Sequence, residues 1–229
     1  MTTLSGDVIL QNLPYLMRGL RVTAFITVVC MAASFALGVV LALLRRSALR
    51  PLRAGATLYI ELLRSTPLLM VIFWFYFLLP LLTGKSLEPL VAGIIAMIAF
   101  QSAYVAEIVR AGIASVKAGQ LEAALALGLS YRAAMRLVVL PQALRNMLPA
   151  LVARFVALFK STSLLYVIGV VEFFRAATIV NSREFRSMEI FLFVAFVYFC
   201  CGATASAVGA WLERTLATED LRLQASSAA

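Results

Sequence analysis

Five apolar segments constrain this chain more than any other feature of its sequence. A bilayer core requires about 20 predominantly apolar residues in a helix. Four segments of this order carry no charge, and a fifth carries two basic residues. The predicted transmembrane helices cover residues 22–44, 65–84, 89–106, 148–171 and 190–212. We therefore expect an all-α membrane protein with five transmembrane helices.

Composition agrees with this expectation. The chain is 63% hydrophobic and 14% charged, whereas soluble domains are about 45–50% apolar and about 25% charged. It has no histidine, and its three cysteines all lie in apolar segments. A histidine-based catalytic triad and a disulfide framework are therefore excluded, and we expect no catalytic residue, metal site or cofactor.

The distribution of charge predicts the orientation. The net charge is +9, but the basic residues flank apolar segments, so we expect a membrane bias and not a nucleic-acid partner. The connection after the first span holds four arginines, and the loop at residues 107–147 holds five basic residues against two glutamates. Because positive loops stay inside, the N-terminus is predicted outside and the C-terminus inside. Residues 1–21 would then be periplasmic, and residues 213–229 a cytoplasmic tail.

The cytoplasmic loop contains a recognisable pair of helices. Residues 120–127 are strong helix formers, and Gly128 suits a C-terminal stop. Ser130 is a predicted N-cap for a second helix at residues 131–140, which Pro141 interrupts. The first helix has a small apolar face formed by Leu121, Ala124, Leu125 and Leu127. It either lies on the inner membrane surface or inserts into a groove on a cytoplasmic partner.

This loop resembles the EAA motif of type I ABC importer permeases. The resemblance rests on Glu122-Ala123-Ala124, then Gly128, then Leu140-Pro141. Segments similar to the polar amino acid branch of that family are found at residues 13–20, 63–68, 103–113 and 162–164. Residues 74–76 and 173–175 are most similar to glutamate/aspartate permease subunits.

The resemblance implies a MetI-like ABC transmembrane domain over residues 22–212. It implies that Glu122, Ala123, Ala124 and Gly128 contact a cytoplasmic ABC ATPase. It also implies a second permease, identical or homologous, an extracytoplasmic amino-acid-binding protein, and a place in a bacterial inner membrane. The implied substrate is a polar amino acid, glutamate or aspartate. Gly84-Lys85-Ser86 lacks the first glycine of a nucleotide-binding P-loop, so ATP hydrolysis is expected on a separate subunit.

Two basic residues in the fourth span are candidates for the solute pathway. A charge at membrane depth is costly and by default marks a functional site, so Arg154 and Lys160 could line a cavity and attract a carboxylate. Alternatively, they snorkel or pair with Glu107 or Glu172. The family usually has a neutral polar residue in place of Arg154 and an aspartate in place of Ser161. Both departures favour an anion.

Polar residues nearby complete the candidate pathway. The hydroxyls of Ser161, Thr162 and Ser163 either donate to a substrate or bond helix carbonyls, which is the commoner case. Thr66 either caps the second span before Pro67 or belongs to an anion site at that helix end. Gln101 and Ser102 are expected to make interhelical hydrogen bonds or to line the path.

The spans contain no chain of carboxylates for proton coupling, and five helices do not easily enclose a path with two gates. We therefore expect a dimer, of this chain with itself or with a homologous permease, in which energy arrives mechanically through the loop. The resemblance implies that an ATPase supplies that energy. An ion channel or small secondary carrier, which needs no ATPase, is the alternative. In the last span, Gly202, Ser206 and Ala210 predict a helix-packing stripe.

Overall fold

The computed structural model describes residues 6–227, with side chains for residues 6–215. This part of the chain forms eight helices and contains no strand, which confirms the predicted all-α class. The helices are α1 (Asp7–Arg45), α2 (Arg50–Ser65), α3 (Leu68–Thr83), α4 (Pro89–Ala114), α5 (Ala118–Ala126), α6 (Tyr131–Ile168), α7 (Phe173–Glu184) and α8 (Ser187–Ser227).

Four of these helices are long and apolar enough to cross a membrane, namely α1, α4, α6 and α8. The fifth crossing requires α2 and α3 together, which are bent by 113° at Thr66-Pro67. Alone, α3 would extend only about 24 Å, which is shorter than a hydrocarbon core of about 30 Å. The second span predicted at residues 65–84 therefore corresponds to the later member of a helix pair that is bent at Thr66-Pro67.

The break explains why the expected cap at Thr66 is wrong. A proline disfavours the helical conformation in the residue before it, and Thr66 is extended with φ −103° and ψ 138°. Its hydroxyl donates to the carbonyl of Leu62 at 2.8 Å. Thr66 therefore completes the last turn of α2, and α3 begins after Pro67 without a side-chain cap.

The other spans extend beyond their apolar segments. The first helix begins at Asp7 and not near residue 22, α4 continues to Ala114, and α8 reaches Ser227. A helix of 39 residues is about 58 Å long, nearly twice the thickness of the bilayer core. Hydropathy identifies only the part of a helix that lies in hydrocarbon.

The expected interruption at Pro141 is also wrong. The helix α6 continues through it by means of a π turn at Met135–Val139, in which the N–H of Leu140 donates to the carbonyl of Met135. Pro141 has no N–H to offer, and the wider turn before it accommodates the missing bond. The predicted fourth span at residues 148–171 is thus the later part of a helix that begins at Tyr131.

Close packing against α4 places α1 at the centre of the bundle. Gly38 lies on Val105, and Ser34 donates a hydrogen bond to the carbonyl of Ile98 at 3.3 Å. Between α6 and α8, a Cβ at Gly202 or Gly209 would contact Val156 or Val152. The predicted stripe is therefore corrected, because Ser206 and Ala210 are exposed whereas Gly209 is buried.

The connection from α6 to α7 is fixed by a buried glutamate. Glu172 caps α7 by accepting hydrogen bonds from the N–H groups of Phe174 and Arg175 at 2.8 and 2.7 Å. Thr23 of α1 donates to the same carboxylate and accepts from the N–H of Phe173 at 3.1 Å. Burial raises the pKa of Glu172 to about 7, although both N–H donors oppose the shift. This carboxylate therefore holds α7 against α1.

The packing at Gly38 gives the first prediction. A Cβ there would stand 2.6 Å from Val105 and 3.0 Å from the backbone nitrogen of Ala106. Backbone cannot yield, so Gly38→Ala is expected to lower the free energy of unfolding by about 1–3 kcal/mol. The matched control is Gly55→Ala, which enters open space in α2 and should stabilise by up to roughly 1 kcal/mol. Denaturant unfolding of the protein in detergent measures both, and equal destabilisation would contradict the packing.

Candidate functional site

The predicted site residues fall into two groups joined by α6. The first group surrounds α5, which packs on the beginning of α6. The second surrounds Arg154, further along α6.

The exposed side of α5 and the turn after it form one surface, which we call the coupling surface. It comprises Glu122, Ala123, Leu125 and Leu127, all exposed, the two leucines to 42% and 85%. Ala124 faces the other way and is buried. Ala124 thus seats the helix on α6, while Glu122 and Ala123 are left accessible to a partner.

A left-handed glycine ends α5 as the sequence predicts. Gly128 has φ +84°. Its N–H donates to the carbonyl of Leu125 at 3.0 Å, and the N–H of Leu129 donates to the carbonyl of Ala124 at 3.2 Å. This pair of bonds is a Schellman motif. Ser130 then accepts from the N–H of Ala133 at 3.3 Å, which confirms it as the N-cap of α6.

Two side-chain bonds tie the loop to α6. Asn146 donates to the hydroxyl of Ser115 at 2.8 Å, and Gln142 donates to Gln120 at 3.5 Å. Together with the seat of Ala124, they attach α5 to α6 on both sides of its first turn. These contacts join the coupling surface to the beginning of α6.

The second group borders a cleft of about 780 Å³ between α4 and α6. Its charged and aromatic lining, which we call the cationic cleft, consists of Arg64, Tyr104, Glu107, Arg145, Arg154 and Glu213. Arg154 donates from Nε to Oε1 of Gln101 at 2.5 Å, and its guanidinium lies 3.7 Å from the ring centroid of Tyr104. The arginine is thereby fixed in orientation.

Glu107 gathers cations from three helices at the rim of this cleft. It binds Arg45 of α1 at 2.8 Å and Arg64 of α2 at 3.9 Å, and it also pairs with Arg110 of α4. The described contacts therefore do not include the suggested pairing of Glu107 with Arg154 or Lys160. Sequence reasoning missed Tyr104 as a residue of the cleft and Arg45 as a partner of Glu107. The position of Glu107, an acidic residue just past an apolar segment, is a usable signal for such a partner.

The remaining predicted residues are placed apart from the cleft. Lys160 is exposed and lies beside Gly202. Six residues from Arg154 correspond to about 9 Å along the helix and about 120° around it. The structure therefore does not bring Arg154 and Lys160 onto one face of α6.

The hydroxyls predicted as candidates for the solute pathway already donate hydrogen bonds within their own helix. Ser161, Thr162 and Ser163 each donate to a carbonyl of the preceding turn at 2.8 Å, which confirms the commoner alternative. The interhelical role of the polar pair in α4 is also confirmed. Gln101 contacts α6, and Ser102 lies 3.0 Å from the hydroxyl of Tyr59 in α2.

Comparison with known proteins finds a family model and relatives that match most of this chain. Residues 34–218 match the family described as binding-protein-dependent transport system inner membrane component. The chain is 40% identical to the glutamate/aspartate import permease protein GltK of Escherichia coli O157:H7, over 91% of this chain and 96% of the relative. It is 36% identical to a probable glutamine ABC transporter permease protein, GlnM, of Bacillus subtilis, over 92% and 97%.

Solved structures show the same architecture. A crystal structure of an amino acid ABC transporter with histidines matches with a TM-score of 0.88 and 35% identity, covering 94% of this chain and all of that one. An inward-facing MetNI methionine ABC transporter matches with a TM-score of 0.74 at 18% identity, over 89% and 97%. The second likeness supports the fold alone.

The turn after α5 gives the second prediction. An L-residue with a side chain in the left-handed region costs about 1–2 kcal/mol. Gly128→Ala is therefore expected to accelerate amide hydrogen exchange in residues 118–129 by about 5- to 30-fold. Gly119→Ala, in the same helix and facing open space, is the control and should not accelerate it. Equal rates in both variants would contradict a Schellman turn that holds the coupling surface in place.

Proposed function

This chain belongs to the family of binding-protein-dependent transport system inner membrane components, and we propose that its substrate is an acidic amino acid, glutamate or aspartate. It is a permease subunit of an amino-acid ABC importer in the inner membrane. ATPase and binding-protein partners are general in this family. The substrate, the contacts with those partners and the second permease are our proposals.

The cationic cleft is the observation that carries the proposed substrate. Three arginines and two glutamates line it, and one of those glutamates is already bound by arginines. Gln101 and Tyr104 hold Nε and one face of Arg154, so its two terminal nitrogens are the donors directed to a ligand. A planar guanidinium is suited to bidentate recognition of a carboxylate. The similarity to a glutamate/aspartate permease supports the same class of substrate.

The coupling surface supports docking of the ATPase. Glu122 and Ala123 are exposed next to two exposed leucines, and a small mixed surface of this kind suits a groove on a partner. Because α5 is fixed to α6, a partner that displaces α5 also displaces α6. We propose that ATP binding closes the ATPase subunits and that α6 carries the motion towards Arg154. A second permease, identical or homologous, would complete the solute path.

The third prediction tests the coupling surface. Glu122→Gln removes the only charge of that surface, so we expect the ATPase subunit to co-purify in smaller amounts and uptake to fall at least about 10-fold. The control is Glu88→Gln, an exposed glutamate at the opposite end of α4. Quantitative co-purification from mild detergent and uptake into proteoliposomes measure both variants.

Two outcomes would contradict the coupling proposal. If the Glu122 variant retained the ATPase subunit and supported uptake as well as the wild type, Glu122 would have no role in coupling. Labelling of an Ala123→Cys variant only from the outer side would reverse the orientation on which the proposal depends. An ion channel or secondary carrier needs no ATPase, so ATP-independent uptake would favour that alternative.

The fourth prediction tests the substrate. Loss of a hydrogen bond to a charged group costs about 1.5–3 kcal/mol, so Arg154→Gln should lower kcat/KM for glutamate uptake by about 10- to 100-fold. Arg53→Gln, an exposed cation on α2 outside the cleft, is the control. Lys160→Gln tests the other predicted cation separately, and we expect a smaller effect because it lies on another face of α6.

Competition uptake with the complete transporter supplies the comparison between substrates. Aspartate should compete with labelled glutamate, whereas glutamine, arginine and histidine should compete weakly. Glutamine that competes as well as aspartate, together with an Arg154 variant that keeps wild-type kinetics, would rule out an acidic substrate. The family assignment does not depend on that result.

A further inference from the structure

A second cationic cavity lies between the end of α4, α5 and the beginning of α6. Its volume is about 430 Å³. We call it the basic pocket, and its charged members are Arg46, Arg110 and Lys117. It shares no lining residue with the cationic cleft, so the solute path does not account for it.

Positive charge in this pocket is only partly neutralised. Arg110 pairs with Glu107. Among the described contacts, the side chains of Arg46 and Lys117 form no ion pair or hydrogen bond. They come from different parts of the chain, one just after α1 and one just before α5. Two unpaired cations from separate segments therefore converge on one cavity, and an anion is the ligand that they fit.

The rest of the lining is apolar. Ile113, Val116, Leu121 and Val139 contribute to the wall, with Tyr131 at its edge. The pocket also lies where the spans α1 and α4 end, at the side that the charge bias places in the cytoplasm. The uncharged segment of α1 ends at residue 44, two residues before Arg46, so headgroup phosphates of the inner leaflet are expected near this level. Basic pockets between transmembrane helices on this side are typical sites for anionic lipid headgroups.

We propose that the basic pocket binds the phosphate headgroup of an anionic phospholipid from the inner leaflet. Arg46 and Lys117 contact the phosphate, and the apolar wall accepts the glycerol backbone and the first part of an acyl chain. The apolar wall and the position at the membrane surface favour a lipid over free phosphate. Because α5 forms one side of the pocket, the bound lipid lies directly behind the coupling surface.

Native mass spectrometry of the complete transporter in mild detergent tests this proposal. Short-chain phosphatidylglycerol is the probe, with phosphatidylcholine of the same chains as the neutral comparison. Each cation near the phosphate contributes about a fivefold factor. We expect about 25-fold weaker phosphatidylglycerol binding for Arg46→Gln/Lys117→Gln and about fivefold weaker binding for Lys117→Gln alone. The matched control is Arg50→Gln/Arg53→Gln, which removes two exposed cations of α2 outside the pocket.

The outcomes separate the possible ligands. The same spectra report whether each variant still assembles, and the single Lys117 variant keeps the test valid if the double variant does not. Equal weakening by the control pair would overturn the proposal in favour of diffuse surface charge. Displacement of the lipid by an equal concentration of inorganic phosphate would assign the pocket to a soluble anion. Equal binding of phosphatidylcholine would reduce it to an apolar groove.

Discussion

Polar side chains of a membrane-spanning helix find their partners within the protein, and α4 shows how this constraint organises the bundle. It carries Gln101, Ser102 and Glu107 within two turns, and each finds a partner on a different helix. Arg154 of α6 binds the first, Tyr59 of α2 the second, and Arg45 of α1 the third. Small residues at neighbouring positions let these helices approach. The polar side chains of α4 therefore fix the relative positions of three other helices.

The features that the sequence predicts well depend on few neighbours. The turn at Gly128 and the cap at Ser130 involve contacts no more than five residues apart, so local rules suffice. The spans follow from the composition of contiguous segments. In contrast, local rules predict an interrupted helix at both Pro67 and Pro141. The helix breaks at Thr66-Pro67, whereas at Pro141 it continues after a π turn. At Pro141, the neighbouring Val139 and Ala143 are buried in the core, and this packing favours a continuous helix.

Contacts between side chains on different helices could not be predicted, because they join residues that are far apart in the sequence. Gln101 and Arg154 are 53 residues apart, and Arg45 and Glu107 are 62 residues apart. Their meeting depends on the vertical register and rotation of each helix, which hydropathy does not define. The sequence therefore identifies Arg154 as an unusual charge but offers Glu107 or Glu172 as its partner. Stacking on Tyr104 leaves the guanidinium edge directed elsewhere, and this geometry is what makes a ligand carboxylate reasonable.

Under the proposed function, one continuous helix connects recognition with energy supply. The seat of α5 and Arg154 both belong to α6, whereas Gln101 and Tyr104 belong to α4. Movement of α6 relative to α4 must therefore change the contacts that orient Arg154. Any difference in the affinity of the cleft between two positions of α6 is then a coupling free energy between solute and ATPase. Such coupling is reciprocal, so a solute that prefers one position of α6 must favour that same position of the coupling surface.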